Sequence, residues 1–215
     1  MPVNLVNVPL FGHLRKTDRD AIAKKMELKS FRRNAVVLNE GEFSQSLYFI
    51  LSGRVRIYLR YKTGKEFILD VKGPGEYFGE MVLDGGPRSA SVSTVEPCQF
   101  AVIPATEFKK LLVMHPEMTL HVVNHLIRMS RILNANVRSL AMLDVYGRVS
   151  RILLDLAVEQ DGLLVIPHKP TQQEMANRVG SSREVIGRIL KNLTASGHIR
   201  IQGKRIIVTR PLPSR

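Results

Sequence analysis

Phe78-Gly79-Glu80-Met81-Val82-Leu83, followed by Pro87-Arg88-Ser89-Ala90-Ser91-Val92, gathers a glycine, a carboxylate, a guanidinium and a hydroxyl into one short span. Gly79 lets a backbone approach a ligand closely, and a short helix opening at Glu80 offers free N–H groups to an anion. Arg88 can grip a phosphate through two parallel bonds, and the Ser89 hydroxyl adds a donor. This is a candidate phosphate cradle. The alternative is structural: Arg88 pairs with Glu80 inside the domain.

A second chemistry-bearing stretch is TQQEMANRVGSSREVIGRILKNL, from Thr171 to Leu193. Thr171 followed by Glu174 is a capping box, so a short helix starts there and ends near Gly180. Ser181 or Ser182 then caps a second helix whose Val185, Ile186, Ile189, Leu190 and Leu193 recur on one face. The opposite face carries Arg183, Glu184, Arg188 and Lys191. Two helices joined by a glycine turn, the second starting polar and basic, predict a helix-turn-helix whose first-turn side chains reach base edges in the major groove. An arginine there can be bidentate to guanine, and a glutamate can accept from cytosine N4. Past Gly197, HIRIQGKRIIVTR alternates about a Gln202-Gly203-Lys204 turn, which predicts a β-hairpin wing.

GSSREVIGRILKNL followed by IRIQGKRIIV resembles the winged helix of the CRP/FNR family of bacterial transcription regulators. The resemblance implies that Arg183, Glu184 and Arg188 read a TGTGA-type half-site. Thr171, Gln172, Gln173, Ser182, Lys191 and Lys204 complete the expected DNA-binding set, of which Thr171, Gln172, Ser182 and Lys204 are expected to hold phosphates. The cradle likewise resembles the phosphate-binding cassette of cyclic-nucleotide-binding domains, in which the glutamate takes a ribose hydroxyl and the arginine takes the cyclic phosphate. The expected ligand residues are therefore Gly79, Glu80, Met81, Arg88, Ser89 and Asn134. Seven residues separate Glu80 from Arg88, a tighter loop than in cAMP-binding members. Aligning LDVYGR to the family's hinge also puts Leu133 and Asn134 where cAMP receptors carry a purine-facing polar pair. cAMP, cyclic di-GMP, another nucleotide or no ligand all stay open.

Composition fits a polyanionic partner. The formal charge is +13, and residues 145–215 hold 12 Lys and Arg against 5 Asp and Glu, so the basic excess concentrates where the DNA reader is expected. A single cysteine, Cys98, excludes an internal disulfide and a cysteine-ligated iron–sulfur cluster within one chain, and reads as a small strand residue. His121 and His125 stand at i,i+4 without a nearby third ligand, so no metal is expected. The chain lacks a Walker sequence, G-x-S-x-G and H-E-x-x-H, and is not expected to be an enzyme. No apolar run nears the ~20 residues of a membrane span and the N-terminus lacks a secretory pattern, so a cytoplasmic location is expected.

These sites need scaffolds. From Phe31 to Ile103, short apolar runs punctuated by Gly41, Gly53, Gly64 and Gly73 to Gly75 predict an antiparallel barrel or sandwich, a β-roll in the resembled family. Before it, residues 5–28 predict a loop and an amphipathic helix capped by Thr17 or Asp18. A long helix from about Glu117 to Leu143 carries Val123, Leu126, Ser130, Leu133, Val137 and Leu140 as a heptad seam. Val122, Met129, Ile132 and Met142 form another face, expected to meet the helix's own β-domain, while the seam meets a second copy. The full expectation is an α+β chain: a β-roll sensor with flanking helices over 1–116, a dimerisation helix over 117–143, a hinge over 144–147 with Gly147 supplying freedom, and a winged helix-turn-helix over 148–215. Its helix from Val149 to Glu159 leads to DGLLVIPHKP. The partners expected are double-stranded DNA, a second copy, RNA polymerase and a small nucleotide, with no membrane.

Overall fold

The computed structural model describes residues 4–61 and 64–213. In chain order the elements are α1 (Lys16–Ala23), β1 (Glu27–Phe31), β2 (Val36–Leu38), β3 (Ser46–Ser52), β4 (Val55–Arg60), β5 (Glu66–Lys72) and β6 (Tyr77–Phe78). A 3-10 helix at Glu80–Asp84 precedes β7 (Ser91–Thr94), β8 (Cys98–Pro104), α2 (Ala105–Met114) and α3 (Pro116–Met142). Then come α4 (Val145–Asp155), β9 (Val158–Gln160), β10 (Leu163–Ile166), α5 (Gln172–Val179), α6 (Arg183–Ala195), β11 (Ile199–Gln202) and β12 (Arg205–Val208). The chain divides into two compact units: Met1–Arg60 with Ile68–Ser130, and Tyr61–Phe67 with Arg131–Arg215.

The first unit holds two antiparallel sheets, ordered β1-β8-β3-β6 and β2-β7-β4-β5. The run Leu47-Tyr48-Phe49-Ile50 shows why one sheet must be covered twice. Side chains alternate along a strand, so Leu47 and Phe49 join Phe11, Phe108 and Met118 on the helical side, while Tyr48 and Ile50 join Phe78, Val92 and Phe100 between the sheets. Strand β8 repeats the division with Ala101 and Ile103 against Phe100 and Val102. Cys98 is buried in that strand, its thiol donating to the carbonyls of Arg54 and Glu96. Burial first, and Glu96 second, raise it above the usual thiol range, which keeps it protonated and unreactive.

The start of α1 differs from expectation. Its N-cap is Arg15, without a side-chain bond, and Asp18 lies inside the first turn paired to Arg15 at 3.0 Å. A carboxylate in the first turn favours the helix dipole without needing the cap position.

On α3 only Met118, Val122 and His125 are buried. The helix is about 40 Å long, and a small β-domain covers only its first turns. Met142, grouped with Val122 as a domain-facing residue, is instead 76% exposed. The whole apolar seam is exposed as well: Val123, Leu126, Leu133, Val137 and Leu140.

The second unit packs α4, α5 and α6 about a core of Val149, Leu153, Met175, Val179, Ile186, Leu190 and Leu193, closed by the sheet β11-β12-β10-β9. Two expectations are corrected here. Asp144 accepts the Gly147 N–H at 2.8 Å and thereby starts α4 at Val145, so Gly147 is a buried helical residue and the break in helix is confined to Leu143 and Asp144. The expected helix to Glu159 also stops at Asp155. Asp161 and Gly162, both at positive φ, form the two-residue loop that turns Val158–Gln160 back on Leu163–Ile166.

Candidate functional site

The cassette begins where β6 ends. Gly79 has φ 84°, and a Cβ there would lie 2.8 Å from Nη1 of Arg88, so glycine is required both by conformation and by space. Arg88 is only 5% exposed. Its backbone N–H donates to the Glu42 carbonyl and its own carbonyl accepts from Gly41, which fixes the Cα. Its Nη1 donates to the Gly79 carbonyl at 2.8 Å, and Nη2 donates to the Ser44 hydroxyl at 2.8 Å and the Ser46 carbonyl at 2.6 Å. The guanidinium is thus held by neutral acceptors rather than by Glu80. Its Nε–H is buried without a partner. An orphaned buried donor costs roughly 1–3 kcal/mol, and an anionic oxygen would remove that cost. Burial pulls Arg88 below the usual guanidinium value, which Tyr48 and then the Glu80 carboxylate partly oppose.

Glu80 opens the 3-10 helix half-buried, and Met81 and Ser89 lie exposed, the Ser89 hydroxyl donating to the Met81 sulfur at 2.9 Å. Gly79, Glu80, Met81, Arg88 and Ser89 therefore come together in the first unit. The orphaned Nε, the side-chain-free position at Gly79 and the exposed hydroxyl suit a phosphate-bearing ligand. Asn134 belongs to the second unit, exposed on α3 beside a cavity of about 300 Å³ lined also by Arg131, Ala135, Arg138 and Arg151.

One polar cluster was not anticipated. Lys72, at 1% exposure, donates from Nζ to the Tyr77 carbonyl at 3.0 Å and stands 3.1 Å from Nε2 of His125. The Tyr77 ring lies against the His125 ring at 4.5 Å, and the Tyr77 hydroxyl is buried without a partner. Burial, then Lys72, hold His125 down to about 4, so its imidazole is neutral. An ammonium cannot accept, so Nε2 does, and the ring proton belongs on Nδ1. The sequence carried part of this signal, because His125 continues the Met118 and Val122 stripe. Lysine is so rarely buried that Lys72 gave none. Among the described residues no group of three His, Cys, Asp or Glu could hold a metal.

In the second unit, Thr171 closes a complete capping box with Glu174: its hydroxyl accepts from the Glu174 N–H at 3.1 Å and its own N–H donates to the carboxylate at 2.7 Å. Gly180, in the left-handed conformation, ends α5. Ser182 caps α6 by accepting from Val185 N–H. Arg183, Glu184, Arg188 and Lys191 are then exposed together on α6, while Ile186, Ile189, Leu190 and Leu193 are buried beneath. Glu184 is held below the usual carboxylate range by its own amide and the Ser182 hydroxyl, so it stays an acceptor. Gln173 is exposed and donates to Asn177, whereas Gln172 is half-buried against Gly187. Lys204 is exposed in the β11–β12 loop, next to Gly203 at positive φ. Sequence reading missed Arg148, which donates to the Val179 carbonyl at 2.9 Å and the Leu143 carbonyl at 2.8 Å and so ties the ends of α5 and of the chain after α3 to α4.

No helix among the described residues is long and apolar enough to cross a membrane. Residues 28–115 match the cyclic nucleotide-binding domain family, and residues 147–211 match the Crp-like helix-turn-helix domain family. The chain is 34% identical over 210 residues to a CRP-like cAMP-activated global transcriptional regulator of Mycobacterium tuberculosis, covering 95% of this chain and 94% of that protein. It is also 34% identical over 189 residues to the cAMP-activated global transcriptional regulator CRP of Pasteurella multocida, covering 84% and 89%. The solved structure of the c-di-GMP responsive global regulator CLP of Xanthomonas campestris superposes with a TM-score of 0.77 at 26% identity, over 90% of this chain and 99% of that one. With a cyclic nucleotide-binding domain followed by a Crp-like helix-turn-helix domain, and relatives at 34% identity over most of its length, the chain belongs to the CRP/FNR family of bacterial transcription regulators.

Proposed function

We propose that this chain is a sequence-specific DNA-binding regulator that acts as a homodimer on a palindromic, TGTGA-like operator and whose DNA affinity is set by a cyclic nucleotide in the cassette. The observation that carries the DNA half is the exposed α6 face, where Arg183 and Glu184 lie in the capped first turn and Arg188 follows on the next. Arginine for guanine and an ionised glutamate for cytosine suit that operator. Thr171, Gln172, Ser182 and Lys204 hold phosphates around it, and Gln173 and Lys191 complete the DNA-binding set. The exposed α3 seam pairs with that of a second copy, and two-fold symmetry then spaces the half-sites about one helical turn apart.

The ligand half rests on Arg88 with its unpartnered Nε, on Gly79 and on Ser89. The M. tuberculosis and P. multocida relatives are named as cAMP-activated and the X. campestris one as c-di-GMP responsive, so both nucleotides are candidates. A second reading, regulation without an effector, draws on the same arginine, because Gly79, Ser44 and Ser46 already engage both of its terminal nitrogens. RNA polymerase is the proposed downstream partner, and the site is in the cytoplasm. No catalytic step is assigned.

The test is calorimetric titration of the protein with cAMP, cGMP and cyclic di-GMP, followed by binding to operator and scrambled duplexes. Saturable heat for one nucleotide, coupled to a change in operator affinity, supports the ligand-switched reading. Specific DNA binding with no heat favours the effector-free one.

A further inference from the structure

The Tyr77–Gly79 backbone is gripped at both ends by buried cations. Arg88 donates to the Gly79 carbonyl at 2.8 Å, and Lys72 donates to the Tyr77 carbonyl at 3.0 Å. Lys72 also reaches across to α3, where His125 Nε2 accepts at 3.1 Å, and Tyr77 lies against the same imidazole at 4.5 Å. Both acceptors of Lys72 are neutral, so the ammonium is buried for the sake of geometry rather than charge pairing. His125 sits on the inner face of α3 with Met118 and Val122, one residue before the exposed seam residue Leu126.

We infer that Lys72 and His125 form a polar latch that couples the conformation of the cassette to that of the dimer helix, and that they act as positioning residues for the switch. The inference rests on the ligand-switched reading above. A bound phosphate that draws the Arg88 guanidinium shifts the Gly79 carbonyl bonded to it, and with it the Tyr77 carbonyl two residues away. Lys72 then either follows it and rotates His125 with α3, or lets go. The two Lys72 bonds join the strand and the helix at named atoms, so a shift of either end changes their length and angle. The coupling has the two-site form that a real allosteric link requires: one site at the cassette, one at the helix seam, and a named bond pair between them.

Amide hydrogen exchange on the full-length protein without ligand tests the latch directly, using Lys72→Met, His125→Leu and His125→Gln. Glutamine keeps a side-chain acceptor for Lys72, whereas leucine does not. In Lys72→Met and His125→Leu, exchange should rise together at the cassette segment 77–82 and at the helix segment 121–129, while His125→Gln stays near wild type. A rise confined to one segment, or a glutamine variant that behaves like leucine, overturns the latch. If Lys72→Met does not fold, the two His125 variants decide it. A second arm titrates cAMP and cyclic di-GMP with operator DNA. Where the wild type responds to a nucleotide, His125→Leu should bind that nucleotide within about threefold of wild type yet lose most of the DNA response, its operator affinity changing by less than about twofold on ligand binding. An undiminished response contradicts the latch. A wild type that binds neither nucleotide overturns the ligand-switched reading instead, and the exchange arm alone judges the latch.

Discussion

The Nη1 of Arg88 lies 2.8 Å from the carbonyl oxygen of Gly79, and a Cβ added to Gly79 would come equally close to that nitrogen. The glycine and the arginine are therefore one device: the missing side chain makes the space in which the guanidinium is held.

Gly79→Ala tests that device. The methyl group meets Arg88 Nη1 and lies 3.2 Å from the Ser46 carbonyl, on a backbone with φ 84°. Strain of that kind costs about 1–3 kcal/mol. Denaturant unfolding should show the N-terminal unit destabilised by that amount, and calorimetry should show weaker nucleotide binding. Unchanged stability would mean that Arg88 moves aside freely.

His125 gives the first unit a pH dependence with a definite sign. Its folded value, about 4, lies below the ordinary value near 6.5, because burial and the neighbouring Lys72, Arg128 and His121 all oppose a second positive charge. The unfolded chain therefore binds more protons between these values, and stability is full above about pH 6.5 and lost as pH falls toward 4. Thermal unfolding between pH 7 and 4 should show this loss, and His125→Gln should flatten it. Glu107, held down to about 2 by Lys110 and Lys25, adds its own loss mainly below pH 4.5, so the two are separable.

Val137→Glu tests the helix seam. Val137 is 64% exposed in the single chain, so a charge there leaves the fold intact. In a paired seam it would be buried without a partner, and sedimentation should show a shift from dimer to monomer. A variant that remains dimeric would place the contact elsewhere.

Arg183→Ala removes a donor from the exposed start of α6. Discrimination at one base pair of each half-site should fall by about 1–3 kcal/mol, measured against single-base operator variants, with dimerisation unchanged. A uniform loss across all sequences would make Arg183 a phosphate contact.

How much of this was legible in the residues follows from the kind of signal each element sends. The capping box at Thr171, the Ser182 cap and the α6 apolar face are local, period-3.6 features, and they appear in the structure at those residues. The glycine-punctuated strands were readable for the same reason, since Gly41, Gly53, Gly64 and Gly75 all take positive φ. The hinge was drawn too long because Gly147 looked like a source of freedom, when the Asp144 carboxylate three residues before it was the stronger, helix-starting signal. The Asp161-Gly162 hairpin was passed over in favour of an extended helix. Lys72 and Tyr77 are five residues apart, but His125 lies 53 residues beyond Lys72, and only the packing of α3 on the sheets brings it into contact with them. Arg88 was expected to face either a ligand or Glu80, and its actual partners, Ser44, Ser46 and Gly79, are mostly backbone acceptors that no residue pattern announces.

The most direct test of the central claim is anisotropy titration of wild type and Arg88→Lys on a TGTGA-type palindrome and a scrambled duplex, each with and without cAMP or cyclic di-GMP. The wild type should prefer the palindrome by at least about 10³, and one nucleotide should shift its affinity by about fivefold or more. Arg88→Lys keeps the charge but loses the fork, so it should keep the preference and lose the shift. Equal binding to both duplexes would contradict the regulator, and a nucleotide response that survives in Arg88→Lys would contradict the cassette.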